Sequence, residues 1–242
     1  MFGEDWLFAE QLGTIEKELE KFQQWEERSE GIGLTLRKWG YLFWTTLLIG
    51  TVAGMIAGAI IKAFDDSFVF LGVEVGAYEW VFMVFGASMI SVLSQMGFFA
   101  YLTLRFIAIS FFRRKMVYWT ILQALIVAIA FFDVAYLRYT GYEGEDKSVL
   151  GFLILPIMLL LVGLAISYWK MKQTNSSAFI PTLFFMTVVT IIEAVPAFNL
   201  DDTGGRSYVI FMVVPLIVCN AWQIMQLHKI TQPAATQKEL TN

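Results

Sequence analysis

Six long apolar stretches, separated by short polar segments, dominate the hydropathy pattern of the chain. A helix that crosses a bilayer needs about 20 mostly apolar residues, because each residue adds about 1.5 Å along a path of about 30 Å. The stretches that meet this length are Trp39–Ile61, Trp80–Leu104, Met116–Tyr136, Ser148–Trp169, Ser177–Phe198 and Tyr208–Leu227. They are continuously apolar, which favours helices over the alternating strands of a barrel. The sequence therefore predicts an all-α polytopic integral membrane protein with six transmembrane helices.

The polar segments between the stretches alternate in charge, and this alternation predicts the orientation of the helices. Lys and Arg concentrate on the cytoplasmic side of membrane proteins. Of the 17 Lys and Arg residues, 13 lie on the side that holds both termini and the loops 105–115 and 170–176. The other side holds the acidic segments 62–79, 137–147 and 199–207. We therefore expect a multi-pass protein with both termini in the cytoplasm.

Residues 1–34 differ from the rest, since they hold nine acidic and three basic residues. Apolar side chains recur there at spacings of three and four, at Phe8, Leu12, Ile15, Leu19 and Phe22. This pattern predicts a cytoplasmic amphipathic acidic helix, followed by a transmembrane domain over residues 35–230 and a flexible tail over 231–242. Three positions for the helix are open: on the membrane surface, against the basic loops of its own chain, or against a partner helix or a second copy. Surface helices usually carry Lys and Arg, which argues against the first.

Composition narrows the function classes. The chain is 57% hydrophobic without counting Gly and 16% charged, whereas soluble domains are about 45–50% apolar and about 25% charged. A soluble globular enzyme and a disordered chain are therefore excluded. The net charge of −4 gives no broad basic surface for nucleic acid.

Candidate chemistry is sparse. Cys219 and His228 are the single Cys and His of the chain, so an intrachain disulfide, the usual Cys/His metal site and a Cys–His catalytic pair are excluded. No zinc-protease, serine-hydrolase, phosphate-loop or dinucleotide motif occurs in the sequence. We therefore expect no metal, no cofactor, no nucleic-acid partner and no enzymatic activity.

Two carboxylates interrupt the apolar stretches. Asp133 and Glu193 lie at similar depths in the outer half of the bilayer, counted from the inner ends of their spans. A buried ionised carboxylate costs several kcal/mol, so each must be neutral, paired or facing water. One interpretation is a ligand-sensing or ion-binding site that opens outward. The other is a structural cluster near the interface, for which the available basic partners are Lys62, Arg138 and Arg206.

Two amides and three glycines complete the candidate intramembrane features. Gln95 and Asn220 fall near the middle of the second and sixth spans. Amides at such positions usually hydrogen-bond between helices and stabilise their packing. Gly50, Gly54 and Gly58, which we call the glycine seam, share one face of the first span. The seam predicts close approach of another helix, either within the monomer or from a second copy in a homo-oligomer.

Several strings along the chain point to a known family. They are Ile90–Thr103 (ISVLSQMGFFAYLT), Phe131–Tyr139 (FFDVAYLRY), Phe179–Thr190 (FIPTLFFMTVVT) and Cys219–Gln223 (CNAWQ). Over about residues 36–230 the chain resembles the KinB-signalling pathway activation protein family (KbaA) of endospore-forming bacilli. Residues 1–34 are not part of that pattern.

The resemblance implies a protein of the bacterial cell membrane that a membrane sensor histidine kinase needs in order to feed the sporulation phosphorelay. It implies no enzymatic activity, and it transfers no functional residues. The partners expected on this basis are the kinase and membrane lipids. The alternative is a small transporter or ligand-sensing receptor that uses Asp133 and Glu193.

Overall fold

A computed structural model describes residues 36–65, 68, 77–112, 115–140, 149–199 and 201–231. The predicted helix over 1–34 and the tail beyond Thr231 lie outside the described residues. The chain divides into two compact units, Phe43–His228 and Met1–Leu42 with Lys229–Asn242. The first unit holds nearly all of the described helices.

The described residues form long helices and contain no strand. The helices are α1 Leu36–Phe64, α2 Ala77–Phe111, α3 Met116–Thr140, α4 Val149–Gln173, α5 from Phe179 to Asn199 and α6 Asp201–Thr231. Six helices in this part of the chain are long and apolar enough to cross a membrane. The prediction of an all-α protein with six transmembrane helices is therefore confirmed.

Some helices extend beyond the apolar stretches that predicted them. α2 has 35 residues and continues to Phe111, so most of the predicted loop 105–115 is helical. α6 begins at Asp201, so most of the acidic segment 199–207, expected between two spans, is also helical. The reason is that the apolar run marks the part of a helix that lies in hydrocarbon, whereas the helix itself can continue into the interface.

α5 is the least regular helix and the most enclosed. A short 3₁₀ turn, Ser176–Ala178, leads into it, and a π turn at Phe185–Val189 separates its two α-helical parts. A π turn holds one more residue than an α turn and therefore rotates the residues that follow it. Of the most apolar stretch of α5, 61% is buried inside the protein, whereas the corresponding share for α3 is 22%.

The glycine seam packs inside the chain. A Cβ atom placed on Gly50 would collide with Ser91 of α2 and Cys219 of α6. On Gly54 it would collide with Ala87 of α2, and on Gly58 with Met83 of α2 and Phe211 of α6. α1 is antiparallel to both neighbours, because successive seam glycines meet residues of falling number on each. The chain's own helices therefore occupy the face on which a second copy would have to pack.

Polar contacts join the helices at both ends of the Phe43–His228 unit. At one end, Lys62 of α1 forms an ion pair with Glu79 of α2, and Ser207 Oγ of α6 donates to Asp65 Oδ2 at 2.6 Å. At the other end, Trp222 Nε1 donates to Thr45 Oγ1 at 3.1 Å. The C-terminal end of α1 therefore lies beside the N-terminal part of α6, and the N-terminal part of α1 lies beside the C-terminal part of α6.

The two residues of the Lys62–Glu79 ion pair should differ in how much stability their substitution costs. The Glu79 side chain is 6% exposed and that of Lys62 is 35% exposed. Lys62→Met should lower the free energy of unfolding by about 1–3 kcal/mol, because it leaves a buried carboxylate without its cation. Glu79→Gln should cost less than about 1 kcal/mol, because the lysine can reach water. Thermal unfolding in detergent checks this order, and equal losses would contradict it.

Candidate functional site

The amide of Asn220 joins three helices in the membrane interior. Ser94 Oγ of α2 donates to Asn220 Oδ1 at 2.8 Å. Asn220 Nδ2 donates to Thr190 Oγ1 at 2.9 Å and to Glu193 Oε2 at 2.8 Å, both on α5. The amide therefore uses its oxygen and its nitrogen, and it links α6 to both partners. All four side chains are buried.

A fifth residue, Gln223, lies one helical turn further along α6. Its Oε1 accepts a weak hydrogen bond from Ser94 Oγ at 3.5 Å. We call Ser94, Thr190, Glu193, Asn220 and Gln223 the Asn220 cluster. Phe98 and Phe185 pack beside it with their ring centroids 5.6 Å apart, which keeps this part of the α2–α5 contact apolar.

Glu193 reaches the cluster across a glycine. Its Oε2 accepts from Asn220, while its Oε1 is buried and has no hydrogen-bond partner in the structure. A Cβ placed on Gly97 of α2 would collide with that Oε1 and lie 3.0 Å from a methyl group of Val189. A side chain at position 97 would therefore force the Glu193 carboxyl group to move from this position. The sequence analysis did not single out this residue.

Gln95 is buried beside the cluster but is not part of it. Its amide nitrogen and oxygen, together with Thr46 Oγ1 of α1, have no hydrogen-bond partner in the described structure. The antiparallel register that sets Gly50 against Ser91 and Gly54 against Ala87 brings Thr46 opposite Gln95 one turn further along. Two unpartnered polar groups therefore share one level of the α1–α2 interface.

Asp133 is placed differently from Glu193. Its side chain is exposed on the surface of α3, and it makes no hydrogen bond or ion pair with another described residue. The structure therefore does not bring the two carboxylates together. Lys62, expected as a partner for one of them, instead pairs with Glu79. The side chains of Arg138 and Arg206 lie outside the description.

The Asn220 cluster is held together by hydrogen bonds between its side chains. No group of three or more His, Cys, Asp or Glu residues that could hold a metal ion occurs in the described part of the chain. Cys219 is buried, and its thiol donates to the Thr46 carbonyl oxygen at 3.7 Å, as expected of a small buried residue. The cluster thus couples the positions of α2, α5 and α6 through directional contacts.

A spacing signal could have revealed the cluster residues that the sequence analysis missed. Polar residues recur every three positions on each helix concerned: Ser91 and Ser94, Thr187, Thr190 and Glu193, and Asn220 and Gln223. Residues three apart share a helix face. An apolar span that carries such a repeat therefore shows which of its faces turns toward other helices.

Comparison with known proteins now decides the family. The pattern of the KbaA family, described as KinB-signalling pathway activation in sporulation, matches residues 50–230. The chain belongs to this family. A relative in Bacillus subtilis (strain 168), the KinB-signaling pathway activation protein, is 33% identical over 189 residues, which are 77% of this chain and 93% of the relative. No solved structure matches the chain.

The match confirms the resemblance drawn from the sequence, and its range includes the intramembrane residues described above. All members of the Asn220 cluster, the glycine seam and Asp133 lie within the matched residues 50–230. Residues 1–34 lie outside the match. The family's shared part is therefore the membrane domain.

Proposed function

We propose that this protein is a non-enzymatic accessory protein that activates or stabilises a membrane sensor histidine kinase feeding the sporulation phosphorelay. One observation carries the proposal: the family match over residues 50–230 covers the second half of α1 and the other five apolar helices. In this chain the matched residues 50–230 contain none of the catalytic motifs named above. The activity is therefore best explained by contact with another membrane protein.

The described helices suit such contact. Large apolar side chains are exposed along α1, α2 and α3, where lipid or the transmembrane helices of another protein can pack. We place both chain ends in the cytoplasm of the bacterial cell, as the distribution of Lys and Arg favours. In that orientation the protein meets the kinase through its spans and its cytoplasmic loops.

Co-purification with the kinase tests the proposal. We expect a tagged kinase of the KinB pathway to retain this protein in mild detergent, and kinase abundance or autophosphorylation to fall at least several-fold when the protein is deleted. A chain lacking residues 1–34 should still associate, because the family match lies in the membrane domain. An unrelated six-span protein of equal expression is the control.

Two results of these experiments would contradict the proposed function. If the kinase and the protein do not associate, and kinase abundance and autophosphorylation do not change on deletion, the proposal is wrong. If association requires residues 1–34 alone, the contact surface lies outside the membrane domain and the argument from the family match fails.

A second candidate function, a ligand-sensing receptor or small transporter, is favoured by the unpartnered Oε1 of Glu193. On that hypothesis, Glu193→Gln abolishes sporulation signalling while protein level and thermal stability stay nearly unchanged. On the accessory hypothesis, signalling changes only in proportion to folded protein, because the carboxyl group serves packing. Spore counts measured beside membrane abundance separate the two.

A further inference from the structure

We propose that the surface of α3 around Asp133 is a docking site for a transmembrane helix of the partner kinase that carries a Lys or Arg at the same depth. The inference rests on the proposed function and names the contact through which it operates. We call Ile129, Asp133 and Tyr136 the Asp133 face.

The first observation is the exposure of the carboxylate. Asp133 lies within the apolar span Met116–Leu137, yet its side chain is exposed and has no hydrogen-bond or ion-pair partner among the described residues. Carboxylates inside transmembrane segments almost always face the protein interior, line a water-filled cavity or pair with another group. Among the described residues Glu193 follows that rule and Asp133 does not. A partner from outside the chain would remove the exception.

The depth of Asp133 makes its exposure to lipid unfavourable. It lies 17 residues after Met116, or about 26 Å along the helix, and one turn before Leu137, where the apolar span ends. The aspartate side chain is too short to cover the remaining turn of about 5.4 Å and reach water. A Lys or Arg on a neighbouring helix can extend its charged group over that distance. The ion pair is also stronger near hydrocarbon than in water, because the dielectric constant is lower.

The neighbouring side chains provide a surface on which a helix can pack. Ile129 and Tyr136 lie four residues before and three residues after Asp133, on the same side of α3, and are 57% and 65% exposed. α3 is also the least buried of the six spans, because only 22% of its most apolar stretch is buried inside the protein. The Asp133 face thus combines an apolar contact area with one acidic group.

The charge of the face argues against a second copy of this chain as the occupant. A two-fold contact between two α3 helices would set one Asp133 near the other at the same depth. Two ionised carboxylates in that position repel each other. A helix with a basic side chain is the complementary partner.

Co-purification of the full-length protein with the kinase, expressed together, tests the site. We expect Asp133→Asn to lower recovery of the kinase roughly tenfold and Asp133→Lys to abolish it. Asp133→Glu, which keeps the charge, should retain recovery within about twofold. Because Asp133 is exposed, all three variants should match the wild-type chain in membrane abundance and melting temperature, which separates docking from folding.

A charge exchange strengthens the test. In the Asp133→Lys background, each Lys or Arg in the outer halves of the kinase spans is changed in turn to Asp. Recovery of the complex by one such change identifies the basic residue. If no exchange restores recovery, the ion pair is not the basis of docking and the proposal is wrong.

The other outcomes overturn the proposal in distinguishable ways. Unchanged recovery with Asp133→Asn and Asp133→Lys means that Asp133 does not contact the kinase, and the proposed function still stands. Disulfide-linked dimers of an Ile129→Cys chain mean that a second copy occupies the face. Failure of the wild-type chain to retain the kinase overturns both the docking site and the proposed function.

Discussion

A Gly54→Leu protein is expected to lose about 3 kcal/mol or more of folding free energy and to accumulate poorly in the membrane. A Cβ atom at Gly54 would lie 2.5 Å from the Ala87 Cβ and 3.3 Å from its Cα. The obstacle is partly backbone, so a change of side-chain rotamer cannot relieve it, and α1 must move away from α2. Added volume in a packed interior typically costs about 1–3 kcal/mol even without a backbone clash.

A glycine on the same helix provides the matched control. A Cβ atom at Gly40 would meet no heavy atom of the described residues within 4 Å. Gly40→Leu should therefore change the unfolding free energy by less than about 1 kcal/mol. The change should be stabilising, because leucine has a higher helix propensity than glycine. Melting in detergent and membrane abundance are measured for both variants. Equal behaviour of the two would show that the glycine seam does not pack within the chain.

An Asn220→Leu protein should lose roughly 2 kcal/mol. Leucine has nearly the shape of asparagine, so the change mainly removes three hydrogen bonds, from Ser94 and to Thr190 and Glu193. Interhelical hydrogen bonds in membranes are worth about 0.6 kcal/mol each on average, and losing their partner leaves these groups buried and unpaired. The melting temperature in detergent should fall, while the helix content before melting stays the same.

Gln95→Met is the matched comparison, since it also replaces a buried amide with an apolar side chain of similar shape. Gln95 has no hydrogen-bond partner in the structure. Replacing an unpaired buried amide should be nearly neutral or stabilising. If Gln95→Met destabilises the protein as much as Asn220→Leu, then Gln95 has a polar partner and the Asn220 cluster is not the main link between the helices.

The position of the six helices could be predicted from the sequence because hydrocarbon imposes both their length and their backbone hydrogen bonding. Which face of a span packs against the other helices is harder to predict. An apolar helix in a membrane has no strong difference between its sides, so its rotation about its own axis is not fixed by hydropathy. Only a row of small or polar residues reveals it. The glycine seam gave α1 such a row, and the structure places that row against α2 and α6.

The two carboxylates illustrate the same limit. Their depths follow from counting residues, and on depth alone they form a pair. α5 carries polar residues three apart, at Thr190 and Glu193, which point into the bundle. α3 has no comparable row around Asp133, and there the structure turns the carboxylate outward. The π turn at Phe185–Val189 also changes the rotation of α5, and no residue pattern in the sequence indicated it.

The contacts of α6 have a consequence for the order in which the protein is made. Of the six described helices, α6 leaves the ribosome last, yet it contacts α1 at Thr45, and it supplies the amide that hydrogen-bonds to both Ser94 and Glu193. Until it is inserted, one side of the glycine seam has no helix to pack against. A nascent chain that has only the first five of these spans therefore leaves that side of the seam uncovered until α6 is inserted.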